Sequence, residues 1–261
     1  MKPKRTVVIL GLWISGSAIL RNLSQKGYRV YGITDDASHE GLHSKYGKKL
    51  ICPDAEHDFS SWLAFMIDLG KKMPGKPVLL PTGDKYVVAI EKGIEDLLPY
   101  FRMHQSPRRL HTTLTSKISQ VDLAKKQGFP VPEAMEIKNS NDIAAFYKKI
   151  NGPIILKPEF SYAWHGEKAQ AALDDAKILV ARTENDAKKM YAMARHYSER
   201  LLAEEFIEGD DSNLFYFTGI IGKNDRVGGR LIGKKIRVVP PRKGSASFVQ
   251  LVDIPRLEKQ C

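Results

Sequence analysis

The feature that most constrains this chain is its start. Thr6 to Leu10 is an unbroken run of β-branched and apolar residues, and Gly11-Leu-Trp-Ile-Ser-Gly16 follows at once. A short continuous apolar run closed by glycine reads as a strand buried on both faces, the kind found in parallel sheets. Ser17 to Gln25 reads as an amphipathic helix ended by Gly27, and Tyr28 to Ile33 as a second strand closed by Asp35-Asp36. Strand, glycine turn, helix and strand make one βαβ unit, whose crossover is right-handed in a parallel sheet. The same turn is where dinucleotide folds place a pyrophosphate. Here the middle glycine of that fingerprint is replaced by Trp13. A bulky indole cannot lie against a pyrophosphate, so Gly11 and Gly16 serve a tight turn or a substrate crevice instead.

Further along, a helix is expected from Phe59 to Gly70 behind Asp58, a strand at Val78 to Leu80, and a helix from Asp84 to Leu98 stopped by Pro99. Gln105 to Arg109 reads as a linker. Beyond it come a helix from Ser116 to Gln127, a strand at Ala134 to Ile137, and a helix from Ser140 to Ile150. Strands follow at Pro153 to Leu156 and Ile178 to Ala181, then a helix opened by Thr183 with Asp186 three residues on, then a strand at Leu201 to Phe206. Leu214 to Ile221, Gly229 to Lys235 and Ile236 to Val239 read as antiparallel strands.

Composition narrows the function classes. The 261 residues hold 43% hydrophobic and 27% charged residues, enough for a packed core without staples. Two cysteines, Cys52 and Cys261, exclude a disulfide scaffold and a four-cysteine zinc site. The longest nearly apolar run, Val7 to Leu20, falls short of the about 20 residues a spanning helix needs. It follows Lys2, Lys4 and Arg5, but no small-residue cleavage site comes after it, which favours a cytoplasmic protein over export or a membrane. The formal net charge is +11, and between Lys223 and Lys259 ten Lys/Arg stand against three Asp/Glu. Such a patch suits an anion, either phosphorylated ligands or nucleic acid. No recognition-helix or RNA-binding pattern supports nucleic acid.

Four segments then stand in order: Ser116-Lys117 at a helix start, Pro153-Ile-Ile-Leu-Lys157-Pro158, Leu202-Ala-Glu204-Glu205-Phe206-Ile207-Glu208-Gly209, and Gly233-Lys-Lys235-Ile-Arg237-Val-Val-Pro-Pro241. In this order and spacing the chain resembles the ATP-grasp superfamily. The last segment, with Arg242-Lys-Gly244-Ser-Ala-Ser247, resembles its carboxylate–amine ligase branch. The resemblance runs from about residue 5 to 255. Each motif alone is weak, and the four in register are fairly specific.

The resemblance implies an α/β chain. An N-terminal open parallel-sheet, Rossmann-like pre-ATP-grasp domain (residues 1–107) would be followed by an incomplete α+β ATP-grasp domain. Residues 108–202 would form its small lobe with two nucleotide lysines, and residues 203–261 the adenine hinge and a partial C-terminal lobe. It implies ATP as cofactor, with Lys117 and Lys157 on its phosphates. The Glu204 carbonyl and the Ile207 N–H would meet the adenine edge within Glu204-Glu205-Phe206-Ile207, and Phe206 would stack the base. Asp211, with Asp210 as its rival, would hold the ribose. Lys235 and Arg237, two apart on a strand and so expected on one face, would stabilise the γ-phosphate and an acyl-phosphate. The N-terminal crevice near Gly11, Gly16, Thr82 and Asp84 would take part of a small-molecule carboxylate or amine substrate. Mg²⁺ is expected in a complete enzyme. Its usual Glu-x-Asn ligands do not follow Arg237, where only Asp253 and Glu258 remain, so no metal ligand is expected within this chain. The loop Glu159 to Ala172 holds only Gly166, and Tyr162, Trp164 and His165 either cover the site or pack elsewhere.

The expectation is thus an ATP-dependent ligase, or a fragment or short form of one with weak turnover, forming an amide through an acyl-phosphate. A non-catalytic nucleotide- or protein-binding module is the alternative, and a homodimer is compatible with either.

Overall fold

A computed structural model of the chain describes residues 5–105, 110–222, 226–239, 241 and 245–258. Most of the expected linker and basic run, residues 106–109 and 242–244, lies outside the described residues, as do Pro240 and Cys261. The chain divides into two compact units, Met1–Gln120 and Val121–Cys261.

The first unit is built on β1 (Thr6–Leu10), which is buried along its whole length. It lies between β2 (Arg29–Thr34) and β4 (Val78–Pro81), with β3 (Lys48–Ile51) at the edge, giving the order β3-β2-β1-β4. All three pairings are parallel. Successive side chains of a strand point to opposite faces, and β1 shows this in its packing. Val8 and Leu10 join one core with Trp62, Met66, Leu79 and Phe101. Val7 and Ile9 join another with Leu12, Leu20 and Val30. Helix α1 (Ile14–Gln25) brings Leu20 to the second core, and α2 (Phe59–Lys72) brings Trp62 and Met66 to the first. A strand apolar on both faces has become the centre of an α/β sandwich.

Several boundaries differ from the sequence reading. Helix α1 begins at Ile14 rather than Ser17, so the glycine turn is tighter than expected. The helix expected from Asp84 to Leu98 breaks at Gly93 into α3 (Asp84–Lys92) and α4 (Ile94–Leu97). Strand β3 was not expected, because Lys-Lys-Leu-Ile offers no apolar run. The helix expected from Ser116 to Gln127 is present as α6 (Lys117–Lys126), and a short helix that was not expected, α5 (Leu110–Thr115), precedes it.

The second unit holds two antiparallel sheets. The first has the order β5-β8-β6-β7, from β5 (Ala134–Ile137), β6 (Ile154–Pro158), β7 (Leu179–Ala181) and β8 (Leu201–Glu205). Helix α7 (Ser140–Ile150) starts with a capping box in which Asn139 Oδ1 accepts from the Asp142 N–H and Asp142 Oδ2 accepts from the Asn139 N–H. Helix α8 (Glu167–Leu173) follows the loop after β6. Helix α9 (Glu184–Ala194) is capped by Thr183, as its box-like sequence suggested. Ile143 and Phe146 of α7 and Tyr191 of α9 pack with Ile137, Ile154, Leu156, Leu201 and Ala203, which share one face of the sheet.

The second sheet has the order β11-β10-β9, from β9 (Phe215–Ile221), β10 (Val227–Val239) and β11 (Ser245–Val252). The two strands expected at Gly229 to Lys235 and Ile236 to Val239 are one continuous strand. Its register against β11 shifts between Lys235 and Val238, close to where the sequence was divided.

Close packing at the first turn gives a test. A Cβ on Gly16 would stand 1.9 Å from the Gly11 carbonyl oxygen, so the backbone must move to admit one. We expect Gly16→Ala to lower the unfolding free energy in urea titration by about 3 kcal/mol. Gly166→Ala, where a Cβ meets nothing within 4 Å, should leave it within about 0.5 kcal/mol.

Candidate functional site

Opposite the face that packs on α7 and α9, the first sheet of the second unit carries charge. Lys157 pairs in register with Leu202, and Glu204 with Ile155, so Lys157 and Glu204 are diagonal neighbours on that face. Their side chains meet as an ion pair, Nζ to Oε1 at 2.8 Å, with 20% and 15% of the side chains exposed. By the same alternation Arg200, Glu136 and Glu159 belong to this face. The Arg200 guanidinium grips Glu136 with Nε and Nη2 at 2.7 and 3.1 Å and reaches Glu159 with Nη1 at 2.7 Å. The Arg200 hydrogen bond holds the Glu136 carboxyl below the ordinary carboxylate value, and the same bond raises Arg200. Glu159, buried, also donates its backbone N–H to the Arg200 carbonyl, which pins the chain just past Lys157. Ile155 and Leu202 lie buried among these charged positions. Lys157 and Arg200 therefore each already have a carboxylate partner.

The segment expected to form the hinge follows β8. The Glu205 N–H donates to the Glu133 carbonyl and the Phe206 N–H to the Pro153 carbonyl. The next N–H, that of Ile207, has no hydrogen bond among the described residues, and the Ile207 side chain is exposed. Phe206 is half-buried and Asp211 begins a short 3₁₀ turn, Asp211–Asn213.

Lys235 and Arg237 stand on β10. Lys235 lies opposite Val249 and Arg237 opposite Phe248, which are successive residues of β11. The shift in register between them interrupts the two-residue alternation that would place both on one face. The Arg237 Nε donates to Ser247 Oγ at 3.1 Å. Lys117 opens α6 and belongs to the first unit. In the loop after β6, Trp164 packs in the core, Tyr162 stacks on Phe160, and His165 is exposed.

In the first unit, the ends of β1 and β4 are drawn together. The Thr82 hydroxyl lies 2.9 Å from both the Leu10 and Gly11 carbonyls, and 2.7 Å from where a Gly11 Cβ would be. Gly11, Gly16 and Thr82 thus fit one another closely, while Asp84 is exposed at the start of α3. The richer chemistry lies at the end of β2, and the sequence reading missed it. The buried Asp35 carboxylate takes Lys85 Nζ at 2.7 Å, the Tyr86 hydroxyl at 2.7 Å and the Ala55 N–H at 3.2 Å. Burial, then the charge of Asp35, pushes the Tyr86 phenol up, and the same causes push the Cys52 thiol up to about 12. A thiol held protonated at neutral pH is no nucleophile. His39 Nδ1 lies 3.3 Å from the Leu12 N–H and 2.7 Å from the Thr34 hydroxyl, so the N–H of the glycine turn is already engaged. An open groove of about 490 Å³ lies beside α1, lined in part by Ile14, Arg21, Glu40, Lys45 and Tyr46.

Among the described residues, no group of three or more His, Cys, Asp or Glu is arranged to hold a metal ion. No helix among them is long and apolar enough to cross a membrane.

No family model matches the chain. It is similar to the D-aspartate ligase of Enterococcus faecium (strain Aus0004), 21% identical over 180 residues that make up 68% of this chain and 42% of that protein. Among solved structures it is similar to the ADP complex of PurK, an N5-carboxyaminoimidazole ribonucleotide synthetase. That likeness has a TM-score of 0.67 at 14% identity and covers 93% of this chain and 59% of the other. It is likewise similar to the L-amino acid ligase of Bacillus licheniformis, with a TM-score of 0.66 at 13% identity, covering 99% of this chain and 58% of the other. The chain thus spans about half the length of these relatives. Its fold is that of the ATP-grasp carboxylate–amine ligases, as the order of its motifs implied.

The Arg200 cluster makes a prediction about acid stability. A carboxyl whose folded pKa is depressed adds stability above its unfolded pKa, and that stability is lost as pH falls through the folded value. Arg200→Ala should therefore cost about 1–2 kcal/mol at pH 7, since Arg200 is nearly half exposed and solvent screens part of the pairing. The loss should shrink below the ordinary Glu pKa of 4.5, which urea titrations of both proteins from pH 7 down to pH 3 would show.

Proposed function

We propose that this chain, which has the fold of the ATP-grasp carboxylate–amine ligases, binds ATP on the charged face of the β5-β8-β6-β7 sheet and acts in joining a carboxylate to an amine. The observation that carries this reading is the placement of Lys157. It ends a buried strand and faces Glu204 at 2.8 Å, on the strand that leads into a hinge whose Ile207 N–H is free among the described residues. PurK, with the same fold, is described in complex with ADP.

In this reading Lys157 meets the α- and β-phosphates as a point charge. The Glu204 carbonyl accepts from the adenine amino group, the Ile207 N–H donates to the ring, Phe206 stacks on the base, and Asp211 takes the ribose hydroxyls. One of Lys235 and Arg237, which the register shift turns to opposite faces of β10, serves the γ-phosphate. ATP carries about four negative charges, and a lysine at 4 Å contributes on the order of 4 kcal/mol at an effective dielectric near 20. Several cations must share that load.

Activation of the carboxylate is what ATP would supply. A carboxylate oxygen attacks the γ-phosphorus and ADP departs, leaving an acyl-phosphate. An amine nitrogen then attacks the acyl carbon, phosphate leaves, and the amine proton passes to a base. Phosphate is the better leaving group, which makes the amide accessible at neutral pH.

Titration calorimetry tests the nucleotide reading. ATP should bind the wild-type chain, and Lys157→Ala should weaken binding at least tenfold, about 1.4 kcal/mol. Equal affinity of the two proteins for ATP would overturn the site assignment.

A further inference from the structure

The nucleotide reading assigns Glu204 a backbone role only, yet its carboxylate is the group actually in contact with Lys157. We propose that the Glu204 side chain is an internal stand-in for phosphate. It holds Lys157 in place in the nucleotide-free protein, and a nucleotide must displace it to bind. This inference rests on the ATP reading above, and its test separates the two.

Three observations support it. First, the pair is built into the sheet. Antiparallel pairing of β6 with β8 fixes Lys157 and Glu204 as diagonal neighbours, so the contact follows from register rather than from a chance rotamer on the surface. Second, both side chains are largely buried, so each depends on the other for compensation and water screens the pair weakly. Third, Arg200, a second cation of this face, is committed to Glu136 and Glu159. A phosphate arriving here finds no cation of Lys157 and Arg200 without a carboxylate already on it. Its gain is the difference between its own attraction to Lys157 and that of Glu204, and the displaced carboxylate adds repulsion. Glu204 is in this sense a positioning residue. It keeps the lysine extended along the sheet and penalises ligands too weakly charged to replace it.

The consequence has a definite sign. Removing the charge while keeping the shape should strengthen phosphate binding, whereas a residue that merely braced the site would weaken binding on removal. Calorimetry with ATP, ADP and adenosine on the wild type, Glu204→Gln, Lys157→Ala and the double variant distinguishes these. Glu204→Gln should bind ATP and ADP at least threefold tighter than wild type and adenosine within twofold. In the Lys157→Ala background the gain should fall below twofold, because there is no lysine left to release. Glu204→Ala serves as a second neutral variant, with thermal unfolding reporting that each protein is folded. Unchanged or weaker ATP binding by both neutral variants would overturn the proposal while leaving the ATP reading intact, provided Lys157→Ala still loses affinity. An equal gain for adenosine, or a gain undiminished without Lys157, would also overturn it. If neither the wild type nor any neutral variant binds ATP, both readings fall.

Discussion

The candidate site depends on one constraint, that a strand has two faces and a register. In the β5-β8-β6-β7 sheet, one face is given to Ile137, Ile154, Leu156, Leu201 and Ala203, which bury against helices. Every residue between them is thereby turned the other way. Lys157, Glu204, Arg200 and Glu136 share a surface because their neighbours in sequence are needed in the core. The core does more than stabilise the second unit, because it sets the spacing of the charges. Slipping β6 by one residue would send Lys157 into the apolar layer, at a cost that rules that register out.

Packing charges on a half-buried face brings its own requirement. A buried ion is costly unless paired, and breaking such a pair is worse than never having had it. The second unit answers with Lys157–Glu204 and with the Arg200 fork on Glu136 and Glu159. The first unit answers in the same way at the end of β2, where Asp35 is met by Lys85, Tyr86 and a backbone N–H. The outcomes differ in kind. Asp35 has a buried side chain and several partners, and burial, then its charge, raises the phenol of Tyr86 and the thiol of Cys52 around it. That cluster ties the β2 end to α3. Among the described residues, Lys157 and Glu204 have only each other as side-chain partners and keep some exposure.

The sequence made some of this legible and hid the rest for physical reasons. Strand β1 was readable because a strand buried on both faces must be apolar throughout. The capped helices α7 and α9 were readable because their caps are local, within three residues. Lys157 and the segment from Glu204 to Gly209 stood out only through the order of the motifs, and that order led to the ATP-grasp fold. The Lys157–Glu204 contact was not, since it needs the pairing register of strands about 45 residues apart. Arg200 could have been found from alternation alone, two and four residues before Leu202 and Glu204. Asp35 was noted only as a strand end, because Lys85, Tyr86 and Ala55 reach it from distant segments. The expectation for Lys235 and Arg237 rested on strict alternation, and a local irregularity is invisible to that rule.

That irregularity also separates two kinds of site. On β10, Gly233 faces Tyr216 and Leu251, and Lys234 faces Phe215 and Gln250, so opposite faces of the sheet carry large apolar side chains. Leu251, Phe215 and Phe248 are all exposed. Apolar surface left in water contributes nothing to stability, and among the described residues of this sheet the buried apolar side chains are Ile232 and Val238, a small core. Regions with few buried apolar groups open at lower free energy than packed ones. The geometry of Lys157 and Glu204 is therefore dictated by a core that must stay assembled. That of Lys235 and Arg237 is set locally, by the register shift and the Ser247 hydroxyl. Where Lys157 and β10 meet one phosphate chain, Lys157 is the fixed half of the site and β10 the half that adjusts to it.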